Sequence, residues 1–135
     1  MHFEATKAFK VAHFNAPDNL LILKDLSDSM LLVRDFNGYA KVRSKLLKAK
    51  PTIKPNWLSL VFGFHLSGKY QKALNTIDTF TSNSYKNPNA PSYHFHKSEI
   101  LLYKNLIIEE SGDISSARQH LYENRAEVYP YLKIN

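Results

Sequence analysis

Two histidines in YHFHKSE, His94 and His96, two adjacent carboxylates, Glu109 and Glu110, and a histidine in an apolar run, His65, are residue types from which metal sites and acid–base pairs are built. Their spacing argues against that chemistry. Residues one or two apart on a helix point to different faces, so neither pair converges on one metal ion or one substrate atom. His65, inside FGFHLSG, reads as a core or groove histidine rather than a base. RDFNG, at 34–38, has an arginine and a glycine but not the close glycine pattern with which a backbone cradles a pyrophosphate. The sequence therefore predicts no catalytic residue, metal ligand, cofactor or small-molecule substrate.

Charge carries more information. The net charge is +6, and residues 34–54 hold all of it: Arg34, Lys41, Arg43, Lys45, Lys48, Lys50 and Lys54 stand against the single acid Asp35. The rest of the chain balances eleven basic side chains with eleven acidic ones. Lys41, Lys45 and Lys48 recur at i, i+4 and i+7, one stripe of one helix, and Lys50 and Lys54 carry the charge into the next turn. Such a stripe is either a solvated face or a footprint for RNA phosphates, whose affinity comes from counterion release and falls with salt. No aromatic residue interleaves with these lysines. As an RNA footprint, the stripe would contact the backbone of structured RNA, and base stacking is not suggested.

A repeat positions the lysines. Shifted by 34 residues, Trp57 falls on Leu23, Leu60 on Leu26, Phe64 on Met30, Gly68 on Arg34, Tyr70 on Phe36 and Phe80 on Leu46. Ala5, Phe9, Ala12 and Pro17 mark a partial copy before these. Gly112, Ala117 and Leu121 repeat the relation of Gly68, Ala73 and Ile77, with ten extra residues between, for which SNSYKNPNAPS at 82–92 is the natural place. A Trp-Leu-Gly-Tyr face followed by an Ala-Phe-Ala-Pro face is the tetratricopeptide pattern.

The expected fold is all-α, a solenoid of about seven antiparallel helices paired as hairpins in a right-handed superhelix. The helices fall at about 2–14, 19–33, 36–49, 55–67, 70–83, 92–111 and 114–129. They make one segment over 1–135: the second helix of a repeat (2–17), full repeats at 19–51 and 55–83, the 82–92 loop and a longer repeat at 92–129. Ala5, Phe9, Ala12, Trp57, Leu60, Phe64, Tyr70, Ala73 and Ala117 are its packing positions. Gly68 closes a helix in left-handed backbone, Pro51 and Pro55 bracket a link with Pro55 in a first helical turn, and Asp18 caps the helix after Pro17. Lys41, Lys45 and Lys48 take the outer, convex side. The inner helices offer a groove of Leu58, Phe62 and His65, with Lys24 and Asp28 in the repeat before. It lacks the lysine and asparagine clamp for two carboxylates and suits a partner helix.

With 44% hydrophobic residues, 22% charged and no cysteine, the chain is apolar enough to fold and builds no disulfide or thiolate site. No apolar run approaches the roughly 20 residues of a membrane span. A cytoplasmic protein without membrane contact is expected. Neither end carries the polar capping helix that solenoids need; a piece of a longer array, with self-association through its ends, is the corresponding expectation.

The runs DNLLILKDLS, RDFNGYAKVRSKLLKAKP, NWLSLVFGFHLSGKYQKAL and SEILLYKN resemble the large auxiliary subunit of the NatA N-terminal acetyltransferase complex over roughly residues 3–125. Arg34-Asp35 with Gly38-Tyr39, the phasing of Trp57, His65-Leu66, Tyr70 and Ala73, and Ser98-Glu99 with Leu101-Leu102-Tyr103 carry the resemblance. Arg34 stands where the repeat usually has Gly, and Tyr39 where it usually has Ala. The resemblance implies a non-catalytic solenoid that supports a separate catalytic acetyltransferase subunit and docks it on the ribosome, and no Arg/Gln-x-x-Gly-x-Gly/Ala loop for acetyl-CoA is found. The alternative is a generic tetratricopeptide adaptor that takes a peptide or partner helix in the groove.

Overall fold

The apolar spacing that predicts helices is realised in a computed structural model describing residues 2–84 and 93–132, with side chains at 2–83 and 97–128. Every element among them is an α-helix: α1 His2–Asn15, α2 Leu20–Leu32, α3 Phe36–Ala49, α4 Lys54–Leu66, α5 Tyr70–Ser84, α6 Tyr93–Glu110, α7 Ile114–Glu123 and α8 Arg125–Leu132. Contacts gather the chain into two compact units, Met1–Lys69 and Tyr70–Asn135, so the division falls within the expected 55–83 repeat. Of the expected 82–92 loop, residues 85–92 lie outside the described residues, while 82–84 close α5.

In the first unit α1 packs on α2, α2 on α3 and α3 on α4. The core is the inward stripe of α2 and α3: Leu23, Leu26, Met30, Tyr39, Val42 and Leu46, with Phe9, Leu20 and Leu31 against it. Leu60 and Val61 of α4 are buried too, and Ala5, Ala12, Trp57 and Phe64 are half-buried. Small residues belong where helices cross closely, and here the pair is Ala40 with Gly63. A Cβ on Gly63 would lie 3.0 Å from Ala40 Cα and from Tyr39 Cδ1.

In the second unit α6 packs against α5, α7 and α8. Ala73, Ile77, Phe80, Ser98, Ile100, Ile107, Ala117 and Val128 are buried, and Tyr70 is half-buried. The single expected helix over 114–129 is two helices. The break falls at Asn124, the C-cap of α7, whose backbone N–H and side-chain amide both donate to the His120 carbonyl, at 3.1 and 2.9 Å. Among the described residues there are thus eight helices, not seven.

Two further local expectations sort themselves by hydrogen bonds. The N-cap of α2 is Asn19, not Asp18: the Asn19 side chain accepts from Leu21 N–H and Ile22 N–H at 3.1 and 3.2 Å. Pro55 does sit in the first turn of α4. Arg34, Gly68 and Gly112, aligned by the repeat, share left-handed backbone, with φ of 62°, 72° and 94°. After α2 the Asp35 and Arg34 N–H groups donate to Met30 and Leu31 carbonyls; after α4 Lys69 and Gly68 do the same to Phe64 and His65. This is one Schellman turn built twice, once on an arginine.

Candidate nucleic-acid and partner interface

α3 sorts its residues by face. Tyr39, Ala40, Val42, Arg43 and Leu46 are buried, and Lys41, Lys45 and Lys48 between them are exposed. The 3.6-residue period makes this inevitable once the apolar stripe is packed. Lys50, on the short link to α4, and Lys54, the first residue of α4, are exposed as well. That link is held by two side chains of α4: the Trp57 indole N–H donates to the Pro51 carbonyl at 2.8 Å, and the Asn56 amide to the Lys50 carbonyl at 3.1 Å. All five expected lysines therefore lie on the surface of one unit, with Lys50 on a braced link.

Arg43 departs from the surface picture. Only 6% of it is exposed, and its guanidinium bonds Asp28 of α2 at 2.9 Å while lying 5.4 Å from the centre of the Tyr39 ring. Its Nε is buried without a partner. The positive surface belongs to the lysines, and Arg43 is a strut between α2 and α3. Its burial was invisible in the sequence, where it reads as one more basic residue; the 15-residue separation from Asp28 gives no local signal.

The groove residues sit together on α4. Phe62 is 38% exposed and meets the Tyr39 ring edge-on, with centroids 6.4 Å apart and planes at 88°. Leu58 and His65 are half-buried. Asp28 bonds Arg43 through one oxygen and lies 4.0 Å from Lys24.

Among the described residues no group of three His, Asp or Glu gathers to hold a metal, and no helix is long and apolar enough to cross a membrane. The side chains of His94 and His96 lie outside the described ones. Glu109 lines a shallow cavity of about 240 Å³ between α6 and α7, with Asn105, Ile114, Ala117, Arg118 and Leu121. Glu110 does not line it, as adjacent residues on a helix diverge.

No protein-family model matches the chain. It is 33% identical over 118 residues to the mouse N-alpha-acetyltransferase 16, NatA auxiliary subunit, covering 87% of this chain and 13% of that protein. To the Arabidopsis thaliana N-terminal acetyltransferase A complex auxiliary subunit NAA15 it is 30% identical over 129 residues, covering 96% of this chain and 14% of the relative. The chain thus spans about an eighth of the length of these relatives. A chain in the solved structure of Naa15/Naa10 bound to HypK-THB superposes with a TM-score of 0.85 at 38% identity, covering 97% of this chain and 19% of that one. MamA superposes at 0.65 and 16% identity, covering 90% of this chain and 61% of that one, which shows the shared helical-repeat fold alone.

Proposed function

We propose that this chain, whose homologues at 30–33% identity over most of its length are NatA auxiliary subunits, is a non-catalytic scaffold segment of that kind of subunit. It supports a separate catalytic acetyltransferase and presents Lys41, Lys45, Lys48, Lys50 and Lys54 to ribosomal RNA, in the cytoplasm, where nascent chains are acetylated. The observation that carries this reading is the agreement with the Naa15/Naa10 structure over 97% of the chain. The exposure of all five lysines is in keeping with it.

The test is capture of the tagged protein from its own cells at about 50 and about 200 mM salt, a range over which six to ten phosphate contacts lose most of their affinity. A catalytic acetyltransferase subunit recovered at both salts, with ribosomes only at the lower, is the expected result. Replacing Lys41, Lys45 and Lys48 with Glu should release ribosomes and keep the acetyltransferase; unchanged ribosome recovery sinks the lysine assignment. Peptide-bearing clients without any acetyltransferase would move the site to the Phe62 and His65 groove.

A further inference from the structure

α1 turns its apolar residues the wrong way for a core. Phe9 packs on the central cluster, but Phe3, Val11 and Phe14 are 68%, 60% and 84% exposed. Lys7 and Lys10 are exposed as well. Phe3, Lys7, Lys10 and Phe14 stand at i, i+4, i+7 and i+11, a single stripe along the helix, which sets Phe3 and Phe14 about 16 Å apart along the axis at 1.5 Å per residue. The repeat says which face this is. Subtracting 34 from Lys41, Lys45 and Lys48 lands on Lys7, Val11 and Phe14. Both helices pack on α2, so the aromatic stripe of α1 occupies the repeat position that the lysine stripe occupies on α3.

The geometry points to a stacking site for unpaired RNA bases on α1. This deepens, and rests on, the reading of the lysines as an RNA contact. An exposed Phe offers a π-face to any base, and the lysines between the rings sit where the connecting phosphates would run; this pairing of basic and aromatic residues is how single strands are held without sequence preference. A partner helix or a lipid surface fits less well. Either would need a continuous apolar strip, whereas Lys7 and Lys10 interrupt this one and would be buried with their charge.

The experiment measures binding of the whole chain to two fluorescent probes, a single-stranded RNA oligonucleotide and a fully paired RNA hairpin, across a salt series. Phe3→Ala and Phe14→Ala should each weaken the single strand about tenfold and leave the hairpin unchanged. Their salt slope should match the parent's, because a ring releases no counterion, whereas each lysine lost should lower the slope by about one. Phe14→Trp should keep the affinity and Phe14→Leu should lose it. If Leu binds as well as Phe, the stripe is an apolar contact and not a stacking platform. Single-strand binding lost only in the Lys41, Lys45 and Lys48 variants would remove α1 from the site while leaving the lysine reading intact; no RNA binding by the parent chain overturns both. Vesicles of anionic lipid held more tightly than RNA, with dependence on Phe14, would overturn the choice of ligand.

Discussion

Arg34 and Gly68 hold the same place in successive repeats and the same backbone conformation, with φ of 62° and 72°. Left-handed backbone brings an L-residue's Cβ against the following carbonyl and costs about 1–2 kcal/mol, which glycine escapes. The Schellman bonds that close α2 are therefore made against a strain that those closing α4 do not carry. Arg34→Gly should raise stability by about 1 kcal/mol, about 4 °C in Tm for a chain of this size. Gly68→Ala should lower it by a similar amount, since nothing lies within 4 Å of the added Cβ and only the backbone objects. Thermal melts of both variants decide this; an unchanged Arg34→Gly would mean that the arginine gains as much from its contacts as it loses in strain.

Tyr39 and Gly63 exchange size across the α3–α4 crossing. Tyr39 is 4% exposed at the position that Ala73 fills one repeat later, and the room it needs comes from Gly63 on the facing helix. Gly63→Ala should cost about 1–3 kcal/mol through overpacking against Ala40 and the Tyr39 ring, despite alanine's better helix propensity. In a Tyr39→Ala background that cost should shrink. A double-mutant cycle in denaturant unfolding measures the coupling, and additive effects would refute the exchange.

Asp28 and Arg43 are unequal partners, because the arginine side chain is 7% exposed and the aspartate 50%. Removing the aspartate strands a buried guanidinium. Removing the arginine leaves a carboxylate that water already reaches. Asp28→Ala should therefore cost about 2 kcal/mol, less than a fully enclosed pair because of solvent screening. Arg43→Met, which keeps the stem, should cost less. The reverse order in urea midpoints would contradict the strut.

His120 sets an acid limit on the second unit. Burial holds its pKa below the ordinary imidazole range, with Lys104 acting in the same direction and Glu123 and Asp78 opposing. Its Nδ1 lies 3.1 Å from Asn105 Oδ1, and its Nε2 is buried with no partner. Protonation would place an unmet N–H there. The unfolded chain takes up that proton first, near pH 6.5, so this contribution to stability is complete above that value and declines as pH falls toward the folded pKa. His120→Gln should flatten the decline that sets in below about pH 6.5 in thermal melts. An equal decline in the variant would assign it to other groups.

The sequence alone determined the helical class of the chain, the left-handed turn at Gly68, and the outward facing of Lys41, Lys45 and Lys48. These follow from local rules: a 3.6-residue apolar period, a glycine after a helix, and a repeat that makes each copy a check on the others. Arg34 was legible only through that repeat, as an arginine in a glycine's place. Tertiary structure decided what depends on residues far apart in the chain. Arg43 leaves the basic surface because Asp28, on another helix, satisfies part of its charge in the interior. Gly63 is small because Tyr39 is large. The break at Asn124 also escaped the apolar pattern, since it leaves the spacing of hydrophobic residues undisturbed. Periodicity reports which side of a helix is dry; which partner meets it there is settled by packing.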